Sequence, residues 1–128
     1  MRFDAKNPPR RVSVGNSVKF DLLDCGSLAL EPNEQVTFTT PAGGEYDLVR
    51  KDWGFYATPS LNGRLRVFGL RGVLIRNTKT GRYFVLLVEG GHDAAFDQYM
   101  WEEGLEVIAW LDSTAALDRL RERINGPA

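Results

Sequence analysis

The hydrophobic pattern is clearest between residues 70 and 89, where two apolar runs flank the polar connection Thr78-Lys79-Thr80-Gly81. The glycine that ends this connection adopts the positive φ of a hairpin turn at little cost. The pattern predicts a β-hairpin with strands at 70–77 and 82–89. The second run is apolar at consecutive positions, which is typical of a strand covered on both faces. We therefore predict that 82–88 lies in the middle of the sheet, with Phe84 and Leu86 buried.

The segment just before this hairpin alternates between apolar and basic residues. Leu65 and Val67 would lie on one face of a strand, with Arg64 and Arg66 on the other. This alternation predicts a strand over residues 64–68. Two guanidinium groups on one strand face indicate that the face is wet, paired with acids, or directed at an anionic ligand.

The first half of the chain contains short alternating segments, separated by turns rich in Pro, Gly and acidic residues. Strands are predicted around residues 18–22, 28–30, 36–39 and 46–49. Such regular spacing is typical of an antiparallel sandwich or an open barrel. Residues 1–11, with two prolines and three arginines, predict a flexible N-terminal arm. An edge strand would begin at Val12, and a single globular domain would span 12–128.

The pattern becomes helical after Glu89. Phe96, Tyr99 and Met100 share a helix face, and Gly104 suits the end of that helix. A strand follows over 105–111, and then a final helix with Asp112 or Ser113 as its cap and Asn125-Gly126-Pro127 as its stop. The predicted fold class is α+β: a mostly antiparallel β-sandwich or open barrel, followed by a C-terminal helix-strand-helix unit.

The sequence LALEPNEQVTF, residues 28–38, gives a strand, an acidic turn with a proline, and a second strand. In this it resembles the first half of a cupin, a small jelly-roll family, and GLRGVLIRNTKTGRYFVLLV, residues 69–88, would supply later strands. The family's metal site uses two histidines and a carboxylate. The corresponding segment here reads Val36-Thr37-Phe38-Thr39-Thr40, and the chain has one histidine. The resemblance implies a cupin-like jelly roll without the metal.

Composition excludes several classes of function. Sixteen basic and seventeen acidic residues leave a net charge of −1, which provides no field to attract nucleic acid or an anionic membrane. No apolar run approaches the roughly 20 residues of a membrane span, and the N-terminus lacks the apolar stretch of a signal peptide. Cys25 is the single cysteine, so the fold needs no oxidising compartment, and we expect it to be buried. These features predict a soluble, cytoplasmic protein.

Candidate catalytic groups are few. His92 is the one histidine; it is either a general base or, as we favour, a solvent-facing or locally hydrogen-bonded side chain. Asp21, Asp24 and Asp47 have no spacing that shows whether they converge. No Cys/His group has zinc spacing, and no glycine-rich segment has the form of a phosphate loop. We expect no metal and no cofactor.

The segment 51–63 combines aromatic and hydrogen-bonding side chains directly before two arginines. Apolar walls with a few placed polar groups are typical of small-molecule pockets. An alternative is that its aromatic side chains close one end of the sandwich as part of the core. The candidate ligand-binding residues are Trp53, Tyr56, Ser60, Asn62, Arg64 and Arg66.

The sequence thus predicts a small binding domain for a carbohydrate or a nucleotide-sugar-like anionic ligand. One alternative is a metal-independent enzyme, isomerase-like or epimerase-like, with Tyr56, His92 or an aspartate as its acid or base. Another is a homo-oligomeric interaction protein, a homodimer joined through a sheet edge or a surplus of exposed aromatics. The lack of a recognisable catalytic constellation favours binding over catalysis.

Overall fold

A computed structural model describes residues 1–126 and contains eight strands and three helices. The strands are β1 Arg2–Val14, β2 Phe20–Ala29, β3 Gln35–Thr39, β4 Glu45–Lys51, β5 Gly54–Thr58, β6 Leu70–Asn77, β7 Tyr83–Glu89 and β8 Leu105–Trp110. The helices are α1 Arg64–Val67, α2 Asp93–Glu103 and α3 Thr114–Asn125.

The strands form three separate sheets. The orders are β1-β2, β3-β4-β5 and β7-β6-β8. Every strand pair within residues 1–126 is antiparallel, and no barrel closes in this part of the chain. The mixed α/β composition with antiparallel strands is confirmed.

The predicted hairpin is confirmed, but its position in the sheet is not. β6 pairs with β7 on one side and with β8 on the other, so β6 is the central strand and β7 is an edge. The prediction that 82–88 is central and Phe84 buried is therefore wrong: Phe84 is 50% exposed. The face of β7 that carries Phe84, Leu86 and Val88 does both: Leu86 and Val88 pack on α2, and Phe84 and Leu86 line an open groove. The opposite face is not enclosed either, since Val85 is 60% exposed.

The N-terminal residues belong to a strand. β1 pairs with β2 from Arg2↔Ala29 to Val14↔Phe20, with an irregularity between Ala5 and Arg10. Strand pairing therefore begins at Arg2, within the segment predicted as an arm, and not at Val12. Cys25 lies in β2 and is exposed, so the expectation that it is buried is also wrong.

The strand predicted over 64–68 is instead a single helical turn, α1. The Leu65 amide donates to the carbonyl of Ser60, and the Phe68 amide donates to the carbonyl of Arg64. Leu65 is completely buried and packs α1 on β6. Leu65 is the one buried residue among residues 64–68. A segment with a single buried position is compatible with a helical turn as well as with a strand, and here the packing of Leu65 on β6 favours the helical turn.

The C-terminal helix-strand-helix unit is confirmed. α2 ends at Gly104, whose φ of 65° is the left-handed conformation that glycine adopts readily. β8 then returns beside β6, and α3 begins at Ser113, whose hydroxyl accepts a hydrogen bond of 3.2 Å from the Ala116 amide. α3 ends at Asn125; Pro127, part of the predicted stop, lies outside the described residues.

The core is small and lies between the β7-β6-β8 sheet and α2. Val73 and Ile75 of β6, Val88 of β7 and Met100 of α2 form one buried cluster. Phe96 and Trp110 pack beside it edge-to-face, with ring centroids 5.7 Å apart. Among residues 1–126, no helix combines the length and apolar character needed to cross a membrane.

Candidate functional site

A polar cleft of about 450 Å³ lies over one face of the β3-β4-β5 sheet. Cross-strand pairing builds it: Thr37 of β3 is opposite Asp47 of β4, and Asp47 is opposite Thr58 of β5. Because successive side chains of a strand point to opposite faces, residues two positions away share this face. The strands thereby add Gln35, Glu45 and Tyr56 to the cleft.

The chain closes one side of the cleft with α1. The segment Pro59–Asn62 leaves β5, and the buried Leu65 then fixes α1 against β6. This brings Ser60 and Arg64 to the cleft, where the Arg64 guanidinium lies over the Phe68 ring at 5.4 Å. A cation over an aromatic face is held in place without losing its hydrogen-bond donors.

Three of the six predicted binding residues, Tyr56, Ser60 and Arg64, therefore line one cleft. The other three lie elsewhere. Trp53 is at the tip of the β4–β5 hairpin and is 72% exposed. Asn62 donates a hydrogen bond of 3.1 Å to the hydroxyl of Thr114, and the Arg66 Nε lies 3.6 Å from the Asp112 carboxylate.

Arg64 and Arg66 separate because α1 is helical. Residues two apart on a helix do not face each other, whereas on a strand they share a face. Arg66 joins Arg71 around Asp112, which is 6% exposed and accepts a hydrogen bond of 2.5 Å from the Arg71 Nε. The Arg71 guanidinium also lies 4.0 Å from the centroid of the Trp110 ring. Arg66 thus belongs to an ion-pair cluster around the buried Asp112 carboxylate and not to the cleft.

The acidic wall of the cleft was not predicted as a site. The alternation of β3 and β4 does put Gln35, Thr37, Glu45 and Asp47 on polar faces, but only strand pairing brings those faces together. Asp21 and Asp24, which the sequence leaves as possible partners of Asp47, are in the β1–β2 hairpin, paired with Arg11 and Lys6.

Hydrogen-bond donors and acceptors alternate across the cleft. The Thr37 hydroxyl donates to Asp47 Oδ1 at 2.6 Å, which leaves the second carboxylate oxygen as an acceptor. Glu45 supplies a further carboxylate, Gln35 both donates and accepts, and Arg64 donates. Two carboxylates against one guanidinium leave the cleft with a negative balance.

His92 lies outside this cleft. It is exposed at the start of α2, with its Nε2 3.9 Å from the Glu89 carboxylate. This agrees with the interpretation of His92 as a solvent-facing side chain. Within residues 1–126, no three His, Cys, Asp or Glu side chains are grouped closely enough to hold a metal ion.

The chain matches no protein-family model, no curated protein and no solved structure. The chemistry of the cleft is therefore the basis for assigning a ligand.

Proposed function

We propose that this chain is a small binding domain whose β3-β4-β5 cleft holds a carbohydrate, without metal. The observation that carries the proposal is the convergence of Tyr56, Ser60 and Arg64 with the acceptors of β3 and β4 in one cleft. A sugar hydroxyl donates one hydrogen bond and accepts others, so it suits a wall where carboxylate, amide, hydroxyl and guanidinium groups alternate. The Tyr56 ring adds an apolar surface for the sugar.

Among the predicted ligands, the cleft favours a neutral sugar over a nucleotide-sugar. Glu45 and Asp47 would repel a phosphate, and Arg64 is a single cation against these two acids. The sequence predicts two guanidinium groups side by side for an anionic ligand. Because Arg66 lies at Asp112 and not beside Arg64, the cleft has only one of them.

A cupin-like β-sandwich and a cytoplasmic location are parts of this proposal. The face of the sheet opposite the cleft carries Val36, Tyr46 and Leu48, and burial raises the pKa of the Tyr46 hydroxyl. A sheet with one polar and one apolar face suits a sandwich, in which a second layer covers the apolar side. A cytoplasmic location is supported by the single cysteine, Cys25, because a fold without an internal disulfide needs no oxidising compartment.

A metal-independent enzyme on the same cleft stays a prediction from the sequence. Of the candidate acids and bases, Tyr56 and Asp47 line the cleft, whereas His92 lies beside Glu89 at the start of α2. Because the candidate histidine base is outside the cleft, we propose binding as the function.

The test compares Asp47→Asn with Trp53→Ala. Wild-type protein should bind at least one neutral mono- or disaccharide in titration calorimetry against a panel that includes sugar phosphates and nucleotide-sugars. Because a hydrogen bond to a charged group contributes about 1.5–3 kcal/mol, Asp47→Asn should weaken binding roughly 10- to 100-fold. Trp53→Ala, outside the cleft, should bind like the wild type.

Melting temperatures of both variants control for folding. If no sugar in the panel binds, or if Trp53→Ala weakens binding as much as Asp47→Asn does, the cleft is not the site. Binding of the phosphorylated members alone would contradict the preference for a neutral ligand.

A further inference from the structure

The chain exposes more surface than a compact monomer of its size. Its accessible surface is 9300 Å², whereas a folded monomer of 14.4 kDa exposes about 6,800 Å². The excess is about 2,500 Å². Obligate interfaces remove roughly 2,000–5,000 Å² in total, or about 1,000–2,500 Å² from each subunit, so the excess lies at the upper end of that range.

The β1–β2 hairpin exposes several large apolar side chains. Leu22 and Leu23 are consecutive in β2, so they point to opposite faces, and both are more than half exposed. Phe3 in β1 is also more than half exposed. An isolated two-stranded ribbon is at best marginally stable in water, so a ribbon with apolar side chains exposed on both faces needs a covering layer.

The hairpin is tied to the rest of its chain mainly at its tip. The Asn16 amide donates to the Glu103 carboxylate at 2.7 Å, and the Ser17 hydroxyl donates to the Glu102 carbonyl. Beyond the tip, one face of the hairpin is separated from β6 and β7 by a gap. The chain's own side chains do not fill this gap.

This gap is mainly apolar and has a volume of about 750 Å³. We name it the hairpin groove. Polar groups, including Asn16, Lys79 and Glu103, lie around it. Its apolar walls are formed by Val14, Phe20 and Leu22 from the hairpin and by Ile75, Phe84 and Leu86 from the sheet.

We propose that a second copy of this chain covers the hairpin groove, in a two-fold dimer where each copy's β1–β2 hairpin lies against the groove of the other. This goes beyond the carbohydrate proposal and does not depend on it. A small apolar molecule could fill 750 Å³, but it would leave Leu23 and the outer face of the hairpin exposed. Only a macromolecular partner has the area to cover both.

Two observations favour a second copy over a different protein. The chain itself carries both a projecting apolar ribbon and an apolar groove to receive it, and a two-fold axis uses each of them twice. The charges of the hairpin are satisfied locally: Lys6 and Arg10 pair with Asp24, and Arg11 pairs with Asp21. The hairpin surface therefore has no patch of one charge that would attract an oppositely charged partner. The net charge of −1 causes little repulsion between two copies of the chain.

The experiment measures mass by sedimentation from about 1 to 100 μM, a range in which a dimer of micromolar affinity forms. The wild type should be a dimer. Leu23→Glu and Phe84→Glu each place two carboxylates in the interface of the dimer, and should raise its Kd at least about 100-fold. Trp53→Glu is the matched control: it adds the same charge at an exposed aromatic outside the groove, and should leave the Kd unchanged.

A second measurement uses the single native cysteine and needs no substitution. Cys25 is exposed in β2, so a spin label there gives one label per chain. Pulsed dipolar spectroscopy should give a defined distance between labels, which arises only if two copies are paired.

Several results would overturn the proposal. One is a wild type that stays monomeric at 100 μM and gives no label-to-label distance. Another is a dimer that Trp53→Glu dissociates while Leu23→Glu and Phe84→Glu do not. A third is a native mass spectrum of the chain as a monomer carrying a small apolar molecule.

Discussion

Replacing Leu65 with alanine is expected to lower the free energy of unfolding by about 2–5 kcal/mol, whereas Val67→Ala should change it by less than about 0.5 kcal/mol. Both substitutions remove apolar atoms from the same helical turn, α1. Leu65 is 0% exposed, and Val67 is 81% exposed. The loss at Leu65 combines the transfer of its side chain to water with the cavity left against β6.

Urea unfolding followed by tryptophan fluorescence measures both values. The pair also distinguishes the helical turn from the strand that the alternation predicts, because in a strand Leu65 and Val67 share a buried face. Similar losses for the two variants would contradict the helix. The measurement should be made at one protein concentration, since the stability of the proposed dimer would depend on that concentration.

The elements that could be predicted from sequence are those with strong local signals. The β6–β7 hairpin has Gly81 at a φ of 73° in its turn, and α2 ends at the left-handed Gly104. α3 has its N-cap at Ser113. Each signal works within a few residues, so no knowledge of the rest of the fold is needed.

The order of the strands depends on distant pairing, and there the prediction fails. A run that is apolar on both faces suggested a central position for β7. The central strand is β6, because β8 returns after α2 and pairs with it, from Val73↔Trp110 to Asn77↔Leu105. Nothing near residue 84 contains that information. Phe84 lies on the same face as Leu86 and Val88, which pack on α2, but Phe84 itself lines the open groove and is half exposed.

The candidate site was half predictable for the same reason. Tyr56, Ser60 and Arg64 are close in sequence and remain close in space. Thr37 and Asp47 reach them only through the β3–β4 and β4–β5 pairings. Strand geometry predicts that Arg66 lies beside Arg64, but the helical turn of α1 directs Arg66 to Asp112 instead.

The ion pair at Asp112 gives the second large expected effect. Arg71→Met should lower the free energy of unfolding by about 2–4 kcal/mol, because it leaves a buried carboxylate without its closest donor. Arg71 Nε lies 2.5 Å from Asp112 Oδ2, and the Arg71 Nη2 lies 3.4 Å from Oδ1. Arg66→Met is the matched control, with an expected loss of about 0–1 kcal/mol, since Arg66 is mostly exposed and lies 3.6 Å from the same carboxylate. Equal losses for the two variants would contradict the dominant role of Arg71.

The same carboxylate predicts a pH dependence. The hydrogen bond from Arg71 holds the pKa of the Asp112 carboxyl below its ordinary value, outweighing burial, which acts in the opposite direction. In the unfolded chain the pKa returns to about 3.9. A carboxyl with a lowered pKa in the folded state stabilises the fold fully above its unfolded pKa, and this contribution is lost as the pH falls through the folded-state pKa.

The stability difference between wild type and Asp112→Asn isolates this contribution from those of other carboxyls. In urea unfolding between pH 7 and 2.5, the difference should be constant above about pH 5 and should shrink below about pH 4, where protons bind the unfolded carboxyl first. Wild type should therefore lose stability with acid more steeply than Asp112→Asn. A difference that stays constant down to pH 2.5 would mean that Arg71 does not hold Asp112 ionised, and the cluster around it would then act through packing alone.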